Sequence, residues 1–290
     1  MRFGVYCANF GSLGDARTLI DLAQESEEAG WDGFFLYDHI VLVPGRPVRT
    51  VDPWIVLAAV AERTGLLLGP LITPVARRQP WELAHQTVAL NRLSRGRLIL
   101  GVGLGEPPDF AAFGEDETLL DRARRLDEGL EIVQRLWSGE TVTHDGSWRL
   151  TDAVLAPKPV GRIPIWVGAR YGSPPGPTQR AARFDGFFPI NRIWDLKQPL
   201  TSGQFAEMAA AVERKRGHLS GFELVTAGVT DPRSPDGEML DAFARVGATW
   251  WLEIIEPSRG PLGELRARIA AGPPRLDPSA WRVDMTTAGQ

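Results

Sequence analysis

The groups with chemistry to offer stand at the ends of apolar runs. Leu98-Ile99-Leu100 is unbroken and apolar, and glycine then takes every second place, at Gly101, Gly103 and Gly105. A short apolar run of this kind reads as a strand buried on both faces. Glycines at its carboxyl end either let a large body lie against the backbone or permit tight packing inside a sheet. Glu106 follows at once, a carboxylate placed to give or take a proton. Gly-x-Gly-x-x-Gly would need glycine where Glu106 stands, so the run is no dinucleotide fingerprint. Pro107-Pro108 are expected to deny a regular helix start and to leave Glu106 on a loop.

A second titratable group, His39, ends Tyr37-Asp38-His39, just past the run Gly33 to Tyr37. An imidazole there can act as acid, base or hydrogen-bond donor to a bound ring. Arg77 and Arg78 precede a helix start at Pro80 and either hold an anionic group or stay solvated. Gly168-Ala169-Arg170 leads into a Ser/Pro/Gly turn and a short helix from Pro177-Thr178, where free amides would suit a phosphate. His144 reads as an exposed turn residue, and His85 and His218 as structural.

These residues need a scaffold, and the alternation of patterns supplies one. Strand-like runs recur at Phe3 to Ala8, Gly33 to Tyr37, Gly65 to Ile72, Arg97 to Gly103, Ile163 to Gly168, Gly186 to Pro189, Phe222 to Val229 and Thr249 to Ile255. Helical patterns lie between them: Asp15 to Ala29, Pro80 to Leu93, Leu119 to Trp137, and Phe205 to Val212 before Gly217. Ser234-Pro235 is expected to cap a further helix, and Pro261 to Ala271 forms the last. Such alternation over about 250 residues is the pattern of an α/β fold, a (β/α)8 TIM barrel. Loops after its strands form the face that carries active sites, and those at 38–52, 105–118 and 191–201 are long. An excursion before strand five holds two alternating runs about Asp145-Gly146 and reads as a hairpin. Residues 1–272 are expected to form one barrel domain, with 273–290 a loosely ordered tail.

Composition narrows the function. The chain has 290 residues, 43% apolar and 23% charged, and a net charge of -4, so nucleic acid is an unexpected partner. The longest apolar windows are too short to cross a membrane, and the start shows no signal-peptide pattern, so a cytoplasmic protein is expected. The single cysteine, Cys7, lies in an apolar strand and reads as a buried structural thiol. Lysine occurs only at 158, 197 and 215, which leaves a Schiff-base aldolase only the poorly placed Lys197. The first strand leads to Asn9-Phe10-Gly11-Ser12, without the clustered ligands of a metal hydrolase, and no metal is expected.

An ordered set of segments carries a family resemblance. The set is Gly30-Trp31-Asp32-Gly33 with Asp38-His39, Asp52-Pro53, Arg78-Gln79-Pro80-Trp81, Leu93-Ser94-Arg95-Gly96-Arg97 through Gly105-Glu106, Pro164-Ile165-Trp166-Val167-Gly168, and Asp185-Gly186. The chain resembles the luciferase-like monooxygenase family, flavin- and deazaflavin-dependent oxidoreductases built on a (β/α)8 barrel. The resemblance implies coenzyme F420, an 8-hydroxy-5-deazaflavin, with FMN and oxygen insertion as the alternative and a non-catalytic flavin-binding protein on the same barrel as a further reading. It implies that His39 and Glu106 act beside the cofactor ring, and that the ring lies in the barrel mouth over strands three and four. Gly103 and Gly105 would flank it there. A non-proline cis peptide is implied at Leu71-Ile72. Gly168 and Ala169 match a pair, usually two glycines, at the cofactor phosphate, followed here by Arg170. A homodimer is implied as well. Sugar-phosphate dehydrogenases of the family carry tryptophan where this chain has Val43. With Val41, Val43 and Trp194 as pocket residues, the expected substrate is a small apolar organic molecule.

Overall fold

The computed structural model describes residues 1–115, 118–192, 194–232 and 237–274. Its strands are β1 (Arg2–Cys7), β2 (Gly33–Leu36), β3 (Leu67–Pro70), β4 (Thr73–Pro74), β5 (Leu100–Gly103), β6 (Val142–Asp145), β7 (Arg149–Ala153), β8 (Ile165–Arg170), β9 (Gly186–Ile190), β10 (Glu223–Gly228) and β11 (Trp250–Ile255). All but β6 and β7 form one parallel sheet in the order β3-β2-β1-β11-β10-β9-β8-β5-β4. A parallel bridge between Leu68 in β3 and Leu98, just before β5, with the Ile99 amide donating to the Leu68 carbonyl at 2.9 Å, closes the barrel. The expected third strand is split in two. Its break falls at a cis peptide between Leu71 and Ile72, the place the resemblance implied.

Helices return the chain between strands: α1 (Ala16–Glu28), α2 (Pro53–Arg63), α3 (Pro80–Leu93), α4 (Pro108–Ala111), α5 (Leu119–Ser138), α6 (Gly176–Ala181), α7 (Ser202–Arg216), α8 (Gly237–Arg245) and α9 (Leu262–Ala270). Their starts are local chemistry. The Asp52 carboxylate accepts from the amides of Trp54 and Ile55, with Pro53 at the first helical position. Thr201 and Gln204 form a capping box on α7. The short α4 corrects the expectation that Pro107-Pro108 would prevent a helix. Pro107 is its N-cap and Pro108 its first residue, where a missing N–H costs nothing. The cap expected at Ser234-Pro235 and most of the expected tail lie outside the described residues.

The barrel strands are buried on both faces. Phe35, Trp166 and Trp250 meet in the barrel interior with ring centroids 5.5–5.7 Å apart. In the next layer toward the strands' carboxyl ends, Tyr6 meets Tyr37 at 4.2 Å and Phe188 at 5.5 Å. The expected hairpin is β6 and β7, paired antiparallel across Asp145-Gly146. It packs its buried Trp148 beside Gly129 of α5. His144 lies in β6 rather than in the turn. It is half-buried, 3.6 Å from Glu128, which corrects its reading as an exposed turn residue. Cys7 is fully buried, and burial pushes its thiol pKa well up. Among the described residues no helix is long and apolar enough to cross a membrane.

Candidate active site

The residues singled out from sequence gather at the mouth where β1, β2, β5, β8, β9 and β11 end. His39 is held from two sides. Asn9, just after β1, donates from Nδ2 to the His39 carbonyl at 2.8 Å and accepts from the His39 amide at 3.3 Å. On the other side, His39 Nδ1 lies 2.9 Å from Oδ2 of Asp109 in α4. Oδ1 of Asp109 accepts from the amides of Ile40 and Val41 at 2.7 and 2.8 Å. Asp109 is buried, which pushes its pKa up. Hydrogen bonds from His39, Val41 and Ile40 outweigh that and hold it below the ordinary carboxylate value.

Glu106 stands on the same turn, its carbonyl accepting from the Asp109 amide at 3.1 Å. Its carboxylate is ion-paired with Arg170 at the end of β8. Arg170 also donates to the Arg192 carbonyl at 3.0 Å, so it ties the ends of β5, β8 and β9 together. One arrangement therefore joins His39, Glu106 and Arg170, which are far apart in sequence.

The alternating glycines have a concrete cause. A Cβ on Gly101 would lie 2.2 Å from Cδ2 of Leu71, and one on Gly103 would lie 2.0 Å from Cδ1 of Ile72. A Cβ on Gly168 would sit 2.9 Å from Cγ2 of Ile72. The body lying against the strand is thus the chain's own Leu71-Ile72 segment. Leu71 is sealed inside, and half-buried Ile72 spans the space above β5 and β8. Gly105 differs, because its φ of 71° lies in the left-handed region that glycine enters freely. The Tyr6 hydroxyl donates to the Leu71 carbonyl at 2.6 Å, and burial pushes that phenol pKa up.

Arg77 and Arg78 do not meet an open anion position. Arg77 donates to Asp38 Oδ1 at 2.6 Å and Arg78 to Oδ2 at 2.9 Å, and Arg77 Nη1 also lies 3.4 Å from Asp109 Oδ2. Both guanidinium groups pair with the buried carboxylate of Asp38, the residue before His39. Val43 and Ile40 are exposed apolar residues on the loop after β2, and Val41 is half-buried beside them. Trp194 is partly buried, with its ring edge-on to Tyr6 and Tyr37. Ala169 is buried, and α6 beyond Arg170 is only six residues long.

Sequence reasoning missed Asn9, Asp109 and Glu256. Glu256 directly follows β11, and its buried carboxylate accepts from Trp194 Nε1 at 3.0 Å, from the Tyr37 hydroxyl at 3.4 Å and from the Ser258 hydroxyl. An acid directly after an apolar run was the signal that revealed Glu106, and Ile254-Ile255-Glu256 carries it too. Asn9 and Asp109 gave no such signal, since their partners lie 30 and 70 residues away.

The model of the luciferase-like monooxygenase family matches residues 1–271. The chain belongs to this family. It is 37% identical over 199 residues to a Nakamurella multipartita protein described as F420-dependent glucose-6-phosphate dehydrogenase, covering 64% of this chain and 55% of that one. A Mycobacterium tuberculosis relative, described as F420-dependent hydroxymycolic acid dehydrogenase, is 30% identical over 239 residues, 75% of this chain and 66% of its own. The chain spans about half the length of the first of these curated relatives. The solved coenzyme F420-dependent tetrahydromethanopterin reductase of Methanopyrus kandleri superposes with a TM-score of 0.73 at 16% identity, over 93% of this chain and 96% of that one. The solved reductase thus shares this barrel fold.

Proposed function

We propose that this luciferase-like protein is an oxidoreductase that transfers a hydride between coenzyme F420 and a small apolar organic substrate. The observation that carries the reading is the joining of His39 to the Glu106 turn through Asp109, beside the shelf made by Ile72. The F420-dependent relatives support the choice of cofactor.

The residues present fit a flat ring. Ile72 offers an apolar surface that Gly103 and Gly168 leave no room to displace, and His39 and Glu106 stand at the adjoining strand ends. Ile72 and Gly105 would line the ring, with Leu71 and Gly103 packed beneath Ile72. Gly168, Ala169 and Arg170 would lie toward the phosphate, where Arg170 would have to share its charge with Glu106. A 5-deazaflavin carries carbon where flavin carries nitrogen, so when bound it supplies hydride transfer rather than oxygen activation. When a substrate carbon gains a hydride, the attached heteroatom needs a proton, and His39 or Glu106 supplies it. In the reverse direction the same group accepts the proton.

The substrate reading rests on the mouth's surroundings. Arg77 and Arg78 are ion-paired with Asp38, with Asp109 also beside Arg77, and Ile40, Val41, Val43 and Trp194 present apolar or aromatic surface. Such a wall suits an apolar compound better than a sugar phosphate, whose charge would need a free cation.

The test is an anaerobic titration of the purified protein with oxidised and reduced F420 and FMN in parallel. Selective tight binding of F420 is expected. Selective binding of FMN would replace hydride transfer by oxygen-dependent chemistry, and binding of neither would refute the reading.

A further inference from the structure

We propose that Asp109 is a positioning residue that fixes the tautomer and the aim of the His39 ring. The inference deepens the functional reading above and rests on it. Asp109 touches both ends of the proposed proton path. Its backbone belongs to the turn of Glu106, and its side chain reaches the loop of His39 across the mouth.

The carboxylate is fully engaged. Oδ1 accepts the two loop amides, and Oδ2 faces both His39 Nδ1 and, at 3.4 Å, Arg77 Nη1. Its side chain is only 1% exposed, so water does not compete for these positions. An ionised carboxylate can only accept, and the ring nitrogen facing it must therefore carry the hydrogen. A neutral His39 then keeps its lone pair on Nε2. No described residue bonds Nε2, and the side chain remains 26% exposed, so this atom is open to a substrate proton. The two amide bonds to Oδ1 fix where the ring stands, and the Oδ2 contact fixes which nitrogen works. The same residue sets the spacing between His39 and Glu106, because it fastens the loop after β2 to the turn after β5.

A purely structural tether and a tautomer-setting tether respond differently to Asp109→Asn. Asparagine keeps an oxygen for the two amides but turns an NH2 toward Nδ1. That donor requires Nδ1 to accept, which moves the hydrogen to Nε2 and removes the lone pair from the reacting side.

The experiment is nitrogen NMR of the imidazoles in the cofactor-free protein, at a pH where the rings are neutral, with His39 assigned by its loss in His39→Gln. The wild type is expected to hold the hydrogen on Nδ1, and Asp109→Asn to move it to Nε2. In single turnover with oxidised F420, the direction in which His39 accepts the proton, Asp109→Asn is expected to slow the chemical step about 100- to 10,000-fold while cofactor affinity stays nearly unchanged. Asp109→Glu, which retains the charge, is expected to keep the hydrogen on Nδ1. A wild type with the hydrogen on Nε2 overturns the proposal, whether or not the variants fold. An Asp109→Asn protein with unchanged tautomer or unchanged rate overturns it too. If the wild type proves inert with every flavin, the functional reading fails and the proton-path role proposed for Asp109 falls with it. The NMR result separates that failure from a failure of the tautomer assignment itself.

Discussion

Replacing Glu106 by Gln separates chemistry from stability at one site. The ion pair it removes joins side chains 42% and 33% exposed, Glu106 and Arg170 respectively. Pairs this open to water and salt contribute about 0.2–1 kcal/mol. Glutamine keeps the shape and can still accept from Arg170, so the expected fall in melting temperature is at most about 2–4 °C. Loss of a proton-transferring group costs about 100- to 10,000-fold in rate, or about 3–5 kcal/mol of barrier. The kinetic loss should therefore exceed the stability loss several-fold. The assay pairs thermal unfolding of wild type and Glu106→Gln with anaerobic single turnover followed by the cofactor's absorbance. A variant that melts normally and turns over at the wild-type rate would refute a proton role for Glu106. One that melts many degrees lower would show that its contribution is structural and that the ion-pair estimate is wrong.

Gly103→Ala would place its Cβ 2.0 Å from Ile72 Cδ1, an overpacking that should cost about 1–3 kcal/mol in denaturant unfolding. Ile72→Val deletes that carbon, so the double variant should recover much of the loss, and strict additivity would contradict the packing argument. Thr201→Ala removes the capping box of α7 and should cost about 1 kcal/mol, read as a lower urea midpoint with an unchanged slope. Asp109 and Asp127 both have pKa values held below the ordinary one. Burial pushes each up, and hydrogen bonds to Asp109 and to Asp127 from Arg180 outweigh it. Their stabilisation is complete above the unfolded carboxyl value of about 4 and is lost as pH falls through the folded values. The urea midpoint should therefore drop on acidification below about pH 4, and Asp109→Asn should flatten that drop.

Local sequence was enough for the skeleton of this molecule. Apolar runs of strand length, helix starts such as Asp52-Pro53 and the Asp-Gly hairpin turn depend on neighbours within a few residues, and those relations survive in any tertiary setting. The barrel followed from the alternation of these elements, and the placing of His39 and Glu106 at the mouth followed from the barrel. Strand ends were less legible: the third run breaks at Leu71-Ile72 and the fourth begins in earnest only at Leu100. Partner choice was decided by closure of the barrel alone. Two arginines beside a helix start look free in sequence, yet the curvature of the sheet brings Asp38 within 2.6 Å of Arg77 from 39 residues away. The glycines of β5 announce that something lies against the strand, but not that Leu71 and Ile72 are that body. Asp109 offers no periodicity at all, and its meaning appears only when the loops after β2 and β5 meet across the mouth. Periodicity encodes which face of an element is buried; which side chains then share that buried space is set by long-range packing, and no local pattern records it.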